Sequence, residues 1–187
     1  MNPAFSAVVM AGGRSTRMGR PKALIEVGGI PLWRRQVELL QRLGPTDLMI
    51  SAGTDWAPGA GSWTVIRDRI GGLGPLGGID AALASMATDL LLVLAVDMPS
   101  MSADYLGRLL RGAGSTGIVP EDRGLYQGLA AVYPRSLGAL VEEALGGEDR
   151  SLQRLLAAAV SGGLMAATRV AEGDRTLFRN VNTPADL

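Results

Sequence analysis

The 187-residue chain is 47% hydrophobic and 19% charged, a balance that excludes a disordered chain and fits one domain with a sizeable core. Its 18 basic and 18 acidic side chains cancel, which argues against a surface that wraps nucleic acid or settles on anionic lipid by charge alone. It holds neither cysteine nor histidine, so disulfides, iron–sulfur clusters, thiolate zinc sites, cysteine nucleophiles and histidine bases are excluded.

Phe5 to Met10 (FSAVVM) is a continuous apolar run that ends at a glycine pair, the pattern of a strand buried on both faces. The opening MNPAFSAVVMAGG carries no basic n-region and is too short to span a bilayer. A soluble, cytoplasmic protein with no membrane partner is the expectation. The loop that follows, Ala11 to Lys22 (AGGRSTRMGRPK), sets Arg14, Arg17, Arg20 and Lys22 within nine residues and includes no acid. Gly12 and Gly13 let the backbone approach a ligand and aim successive N–H groups at it. Backbone donors with clustered cations make a polyphosphate cradle, although neither the P-loop spacing nor the dinucleotide fingerprint occurs.

Pro31 to Leu43 has apolar residues at helical spacing, with proline suited to a first turn. Asp47 to Ala52 and Trp63 to Ile66 are further apolar runs, read as strands. Asp68 then precedes GGLGPLGG, residues Gly71 to Gly78, where five of eight residues are glycine. That density predicts a loop: either a surface turn, or a pocket for a flat base or sugar in which Asp68 accepts hydrogen bonds. A helix is expected from Gly77 to Met86.

Leu90 to Val96 (LLLVLAV) is the strongest strand in the chain, and Asp97 follows it at once. A carboxylate there is costly to desolvate unless a cation or donors pair with it. Asp97 is therefore a magnesium ligand opposite the phosphate loop, or a cap on a strand or helix end. Ser102 to Leu110 reads as a helix with Ser102 as N-cap. Ile118 to Pro120 and Gly128 to Tyr133 read as short strands. Ser136 to Leu145 and Ser151 to Val160 then alternate with Leu164 to Val170. Asn180 and Asn182 lie on one face of the closing NVNTP if it is extended. There they either cap a turn or line a second-substrate pocket.

Strands alternate with helices, and no repeat or charge run marks a boundary. The chain therefore reads as a single α/β domain over 1–187, a three-layer α/β/α sandwich with a mostly parallel, Rossmann-like sheet. Ligands in such sheets bind outside the carboxyl ends of the strands, where Gly12-Gly13, Asp68 and Asp97 fall.

MAGGRSTRMGRPKAL, VIRD followed by GPLGG, VDMP and NVNTPADL occur in the order that resembles the molybdenum cofactor guanylyltransferases. The resemblance implies a fold of the nucleotide-diphospho-sugar transferase type. It implies transfer of GMP from GTP to molybdopterin or molybdenum cofactor, with release of pyrophosphate and with Mg2+ as cofactor. Position by position it implies that Met10, Ala11, Gly12 and Gly13 bind nucleotide through backbone and that Lys22 binds phosphate. It implies that Arg17 is catalytic beside Lys22 and Asp97, that Asp68 contacts nucleotide and that Asp97 holds the metal. Asn180 and Asn182 are implied for the second substrate. The chain departs from the guanylyl pattern at Gly53, where an asparagine is frequent, and at Tyr126-Gln127-Gly128, where a Q-P pair is usual. Its RPKAL form is also typical of the related cytidylyltransferases, which leaves CTP as the rival donor. A sugar-1-phosphate nucleotidyltransferase and a non-catalytic GTP-binding module are the other readings. A monomer is expected that touches cofactor-delivery proteins transiently and binds no nucleic acid.

Overall fold

A computed structural model describes residues 3–12, 21–53, 58–59, 61–67 and 73–181. Strand β1 (Ser6–Met10) leads to a 3-10 turn at Lys22–Leu24 and an antiparallel ribbon of β2 (Glu26–Val27) and β3 (Ile30–Pro31). Helix α1 (Leu32–Gln41), β4 (Asp47–Ser51), β5 (Thr64–Ile66), α2 (Pro75–Ser85) and β6 (Leu90–Ala95) follow. The second half comprises α3 (Ala103–Gly112), β7 (Ile118–Asp122), β8 (Leu125–Tyr126), β9 (Ala130–Pro134), α4 (Gly138–Gly146), α5 (Leu152–Ser161) and β10 (Ala166–Arg169). A 3-10 segment, Glu172–Phe178, closes the described chain.

The main sheet has the order β10-β7-β9-β6-β1-β4-β5, with β8 paired to β7. β1 pairs in parallel with both β4 and β6, β5 with β4, and β10 with β7. β9 runs antiparallel to both of its neighbours. The chain between β7 and β9 is shorter than the dozen or more residues that a parallel crossover needs, so β9 must reverse direction.

Alternation along the central strands builds one core on each face. Ala7, Val9, Leu92 and Leu94 pack with Leu32, Val37 and Leu40 of α1 and with Tyr105, Leu106 and Leu109 of α3. Val8, Met10, Leu91 and Val93 pack on the other side with Leu76 and Ile79 of α2, Val141 of α4 and Leu156 of α5. This is the α/β/α layering expected from the apolar runs. Leu91, Leu92, Val93 and Leu94 are wholly buried, and each such side chain stabilises the fold by about 1.5–3 kcal/mol. The strand that delivers Asp97 is thereby held firmly. No helix among the described residues is long and apolar enough to cross a membrane.

Several expectations are corrected. The glycine-rich segment is not a loop throughout, because α2 begins at Pro75 and takes Gly77 and Gly78, both buried, into its first turns. Gly74, at φ 62°, lets the chain turn into the helix, and Pro75 occupies a first-turn position where its missing N–H costs nothing. Pro31 ends β3 rather than opening α1. The β2–β3 ribbon, β8 and the closing 3-10 segment are not foreshadowed by periodicity, since each is too short or too irregular to show any.

Gly117 sets the start of β7. It has φ +77°, and a Cβ there would lie 2.6 Å from the Val132 carbonyl oxygen and 2.7 Å from Pro134 Cδ. Gly117→Ala therefore combines a left-handed backbone penalty with a clash against β9, and should lower stability by about 2–4 kcal/mol. Chemical denaturation measures this directly; a loss below about 0.5 kcal/mol would contradict the account.

Candidate active site

Register brings four strand ends level with one another. Ala95, Met10, Ser51 and Ile66 face each other across β6, β1, β4 and β5. One residue further on, Val96 N–H donates to the Met10 carbonyl (3.1 Å), Ala11 N–H to Ser51 (2.9 Å) and Ala52 N–H to Ile66 (3.1 Å). Beyond that row the sheet ends; Gly12 and Gly53 lie side by side, and Asp97 stands in the turn that follows β6. A Cβ on Gly12 would come within 3.6 Å of Gly53 N, so two bare backbones run together at the carboxyl edge.

Lys22, the last residue of the basic loop, meets the end of the strong strand here. Lys22 Nζ donates to Asp97 Oδ2 at 3.0 Å, with 25% and 18% of the two side chains exposed. Lys22 starts the 3-10 turn that fully buried Ala23 and Ile25 anchor, which fixes the lysine's backbone at the sheet edge. Asp97 does not cap α3; Ser102 does, accepting from Tyr105 N–H at 3.2 Å. The reading of Asp97 as a helix cap therefore falls away. Its carboxylate is a hard oxygen donor at a partly open edge. That fits magnesium, which keeps several waters and takes one or two carboxylates plus substrate phosphates. Among the described residues there is no group of three or more acidic side chains that would form a complete protein cage.

Met10 and Ala11 are buried at the end of β1, and Gly12 is exposed. Asn180 is exposed next to Val181, which is buried and whose N–H donates to the Asp97 carbonyl at 2.8 Å. The closing segment is thus tied to the backbone of Asp97. Tyr105 and Phe178 meet edge to face at 5.2 Å, and Arg108 bridges to Asp174 at 2.8 Å; together they hold the closing segment on α3. Burial, then the nearby Asp174 charge, pushes the Tyr105 phenol up to about 12. Gly13, Arg17, Asp68 and Asn182 lie outside the described residues.

Residues 7–170 match the MobA-like NTP transferase domain. The chain belongs to that family. It is accordingly a nucleotidyltransferase, and the meeting of its basic loop with its strand-end aspartate lies inside the matched span. The transferase is 34% identical over 190 residues to the molybdenum cofactor guanylyltransferase of Xanthomonas euvesicatoria pv. vesicatoria, covering 96% of this chain and 90% of that one. Its fold is shared with molybdopterin-guanine dinucleotide biosynthesis protein A from Archaeoglobus fulgidus (TM-score 0.72, 21% identity, 97% and 94% covered). It is shared equally with 2-C-methyl-D-erythritol 4-phosphate cytidylyltransferase from Thermus thermophilus (TM-score 0.74, 19% identity, 98% and 95% covered). A fold common to both does not select the base.

Positioning groups that sequence reasoning missed surround Asp97 in the transferase. Gln36 of α1, 1% exposed, donates through Nε2 to the Met98 carbonyl at 2.7 Å. Arg35 donates through Nε to the Pro99 carbonyl at 3.1 Å. The signal for Gln36 was present: it is the polar residue in the buried stripe Leu32, Gln36, Val37, Leu39, Leu40. A buried amide must find a partner, and here it pins the turn that carries Asp97.

Proposed function

We propose that this transferase moves GMP from GTP to molybdopterin or its molybdenum-loaded form. An oxygen of the acceptor phosphate attacks the α-phosphorus in line, the new O–P bond forms, and the α–β bridging bond breaks to release pyrophosphate. The nucleophile is already an anion, so no proton must be removed, and a chain without histidine loses nothing by it. The work left to the protein is positioning and neutralising charge. Lys22 would hold the phosphates, with Arg17 beside them, and Asp97 would hold magnesium. When bound there, magnesium supplies positive charge to the departing pyrophosphate. Gly12 and its neighbours Met10, Ala11 and Gly13 would offer backbone to the nucleotide, Asp68 would contact it, and Asn180 and Asn182 would face the acceptor.

The observation that carries this reading is the 3.0 Å Lys22–Asp97 pair at the carboxyl edge. A bound cation and a bound triphosphate would be complementary in sign to Asp97 and Lys22 respectively. A non-catalytic GTP sensor would not need both members.

CTP is the competing donor, favoured by the RPKAL sequence, and Gly53 stands where guanylyl enzymes often carry an asparagine. Guanine presents N1–H and N2–H donors, which suit a carboxylate such as Asp68, whereas cytosine offers one exocyclic donor and two acceptors. Unpaired polar groups left by the wrong base cost enough to discriminate. We expect GTP to exceed CTP in kcat/KM by at least about tenfold, which needs only about 1.4 kcal/mol. The test is pyrophosphate release from each of the four NTPs with molybdopterin and Mg2+. Equal or better use of CTP would transfer the protein to the cytidylyl reading.

A further inference from the structure

Arg67 stands out in the row of residues just past the paired strand ends. Its three counterparts, Val96, Ala11 and Ala52, are apolar and at most 6% exposed, while Arg67 is exposed just past β5, the last strand in the sheet order. Its guanidinium does not point away to solvent. Nη1 donates to the Gly53 carbonyl at 2.8 Å, which draws the group onto the bare backbone shared by Gly12 and Gly53. A Cβ at Gly53 would meet only Gly12 Cα, at 4.0 Å, so the space above this backbone is open among the described residues. A guanidinium has five N–H donors in a rigid fork. One is used on Gly53, and Arg67 makes no ion pair among the described residues.

Position selects the part of the nucleotide that Arg67 can meet. β5 is three strands from β6, about 14 Å at the usual strand spacing, so Arg67 lies well away from the Lys22–Asp97 pair. With phosphates and metal at that pair, the nucleoside end is what reaches β4 and β5. We infer that Arg67 is a specificity-determining residue that reads the acceptor edge of the purine, O6 and N7 of guanine. The arm bonded to Gly53 orients the fork, and the remaining donors form the bidentate contact that arginine makes with guanine. The inference rests on the guanylyl reading above and adds the group that tells guanine from bases lacking that edge.

Steady-state kinetics on GTP and 7-deaza-GTP, which lacks the N7 acceptor, test it in the parent chain, Arg67→Ala and Arg67→Lys, with thermal melting of each. The parent should favour GTP over 7-deaza-GTP by about tenfold in kcat/KM. Both variants should lose about tenfold or more on GTP, chiefly through KM, and bring the preference close to one. Lysine fails as alanine does because it keeps the charge but not the fork. Equal loss on both nucleotides, with the preference intact, would show that Arg67 only clips β5 to β4 and would overturn the inference. So would full discrimination by Arg67→Lys, or a parent indifferent to N7. A parent that uses CTP and not GTP would overturn the guanylyl reading itself, a result distinct from the preceding three.

Discussion

Asp97→Asn should fold like the parent chain and lose at least about a hundredfold in kcat, about 2.7 kcal/mol of transition-state stabilisation. The fold survives because backbone and neighbours place this residue, not its own carboxylate. Val96 N–H bonds to Met10, and Val181 N–H bonds to the Asp97 carbonyl. Gln36 and Arg35 hold the Met98 and Pro99 carbonyls. Asparagine has nearly the same volume and can still accept from Lys22. What it lacks is the negative charge that a hard cation requires. Turnover measured across a magnesium titration, alongside the melting temperature, separates the two effects. Near-parental activity at saturating magnesium would remove Asp97 from the metal role.

Lys22→Ala should weaken GTP binding by about tenfold to a hundredfold, in the range of a hydrogen bond to a charged group, and leave guanosine binding almost unchanged. The turn should persist without the amine, since Leu24 N–H donates to the Pro21 carbonyl and Ile25 N–H to the Lys22 carbonyl, both at 3.0 Å, over fully buried Ala23 and Ile25. The lysine acts on phosphates as a point charge, so its loss must scale with the ligand's phosphate charge. Calorimetry with guanosine, GMP, GDP and GTP gives that series. A uniform loss across all four would assign Lys22 a structural part instead. Because Lys22 and Asp97 are in contact, their double variant should be non-additive.

The sequence alone determined the layered α/β fold, and the reason lies in burial. Leu90 to Val96 can be wet on neither face, so helices must cover both, and the chain supplies them at helical spacing. It also located the basic loop and Asp97, because a run of cations without acids and a carboxylate ending an apolar strand are anomalies in any fold. Only the tertiary structure decided what those anomalies touch. Lys22 and Asp97 are 75 residues apart, and no local pattern encodes a 3.0 Å contact that depends on β1 pairing with β6. The glycines near Pro75 misled for a related reason: intrinsic propensity disfavours them in a helix, but burial of α2 against the sheet outweighs it. The partners of Gln36, Val181 and Arg67 were hidden because tertiary packing and strand register, not sequence proximity, bring them within reach.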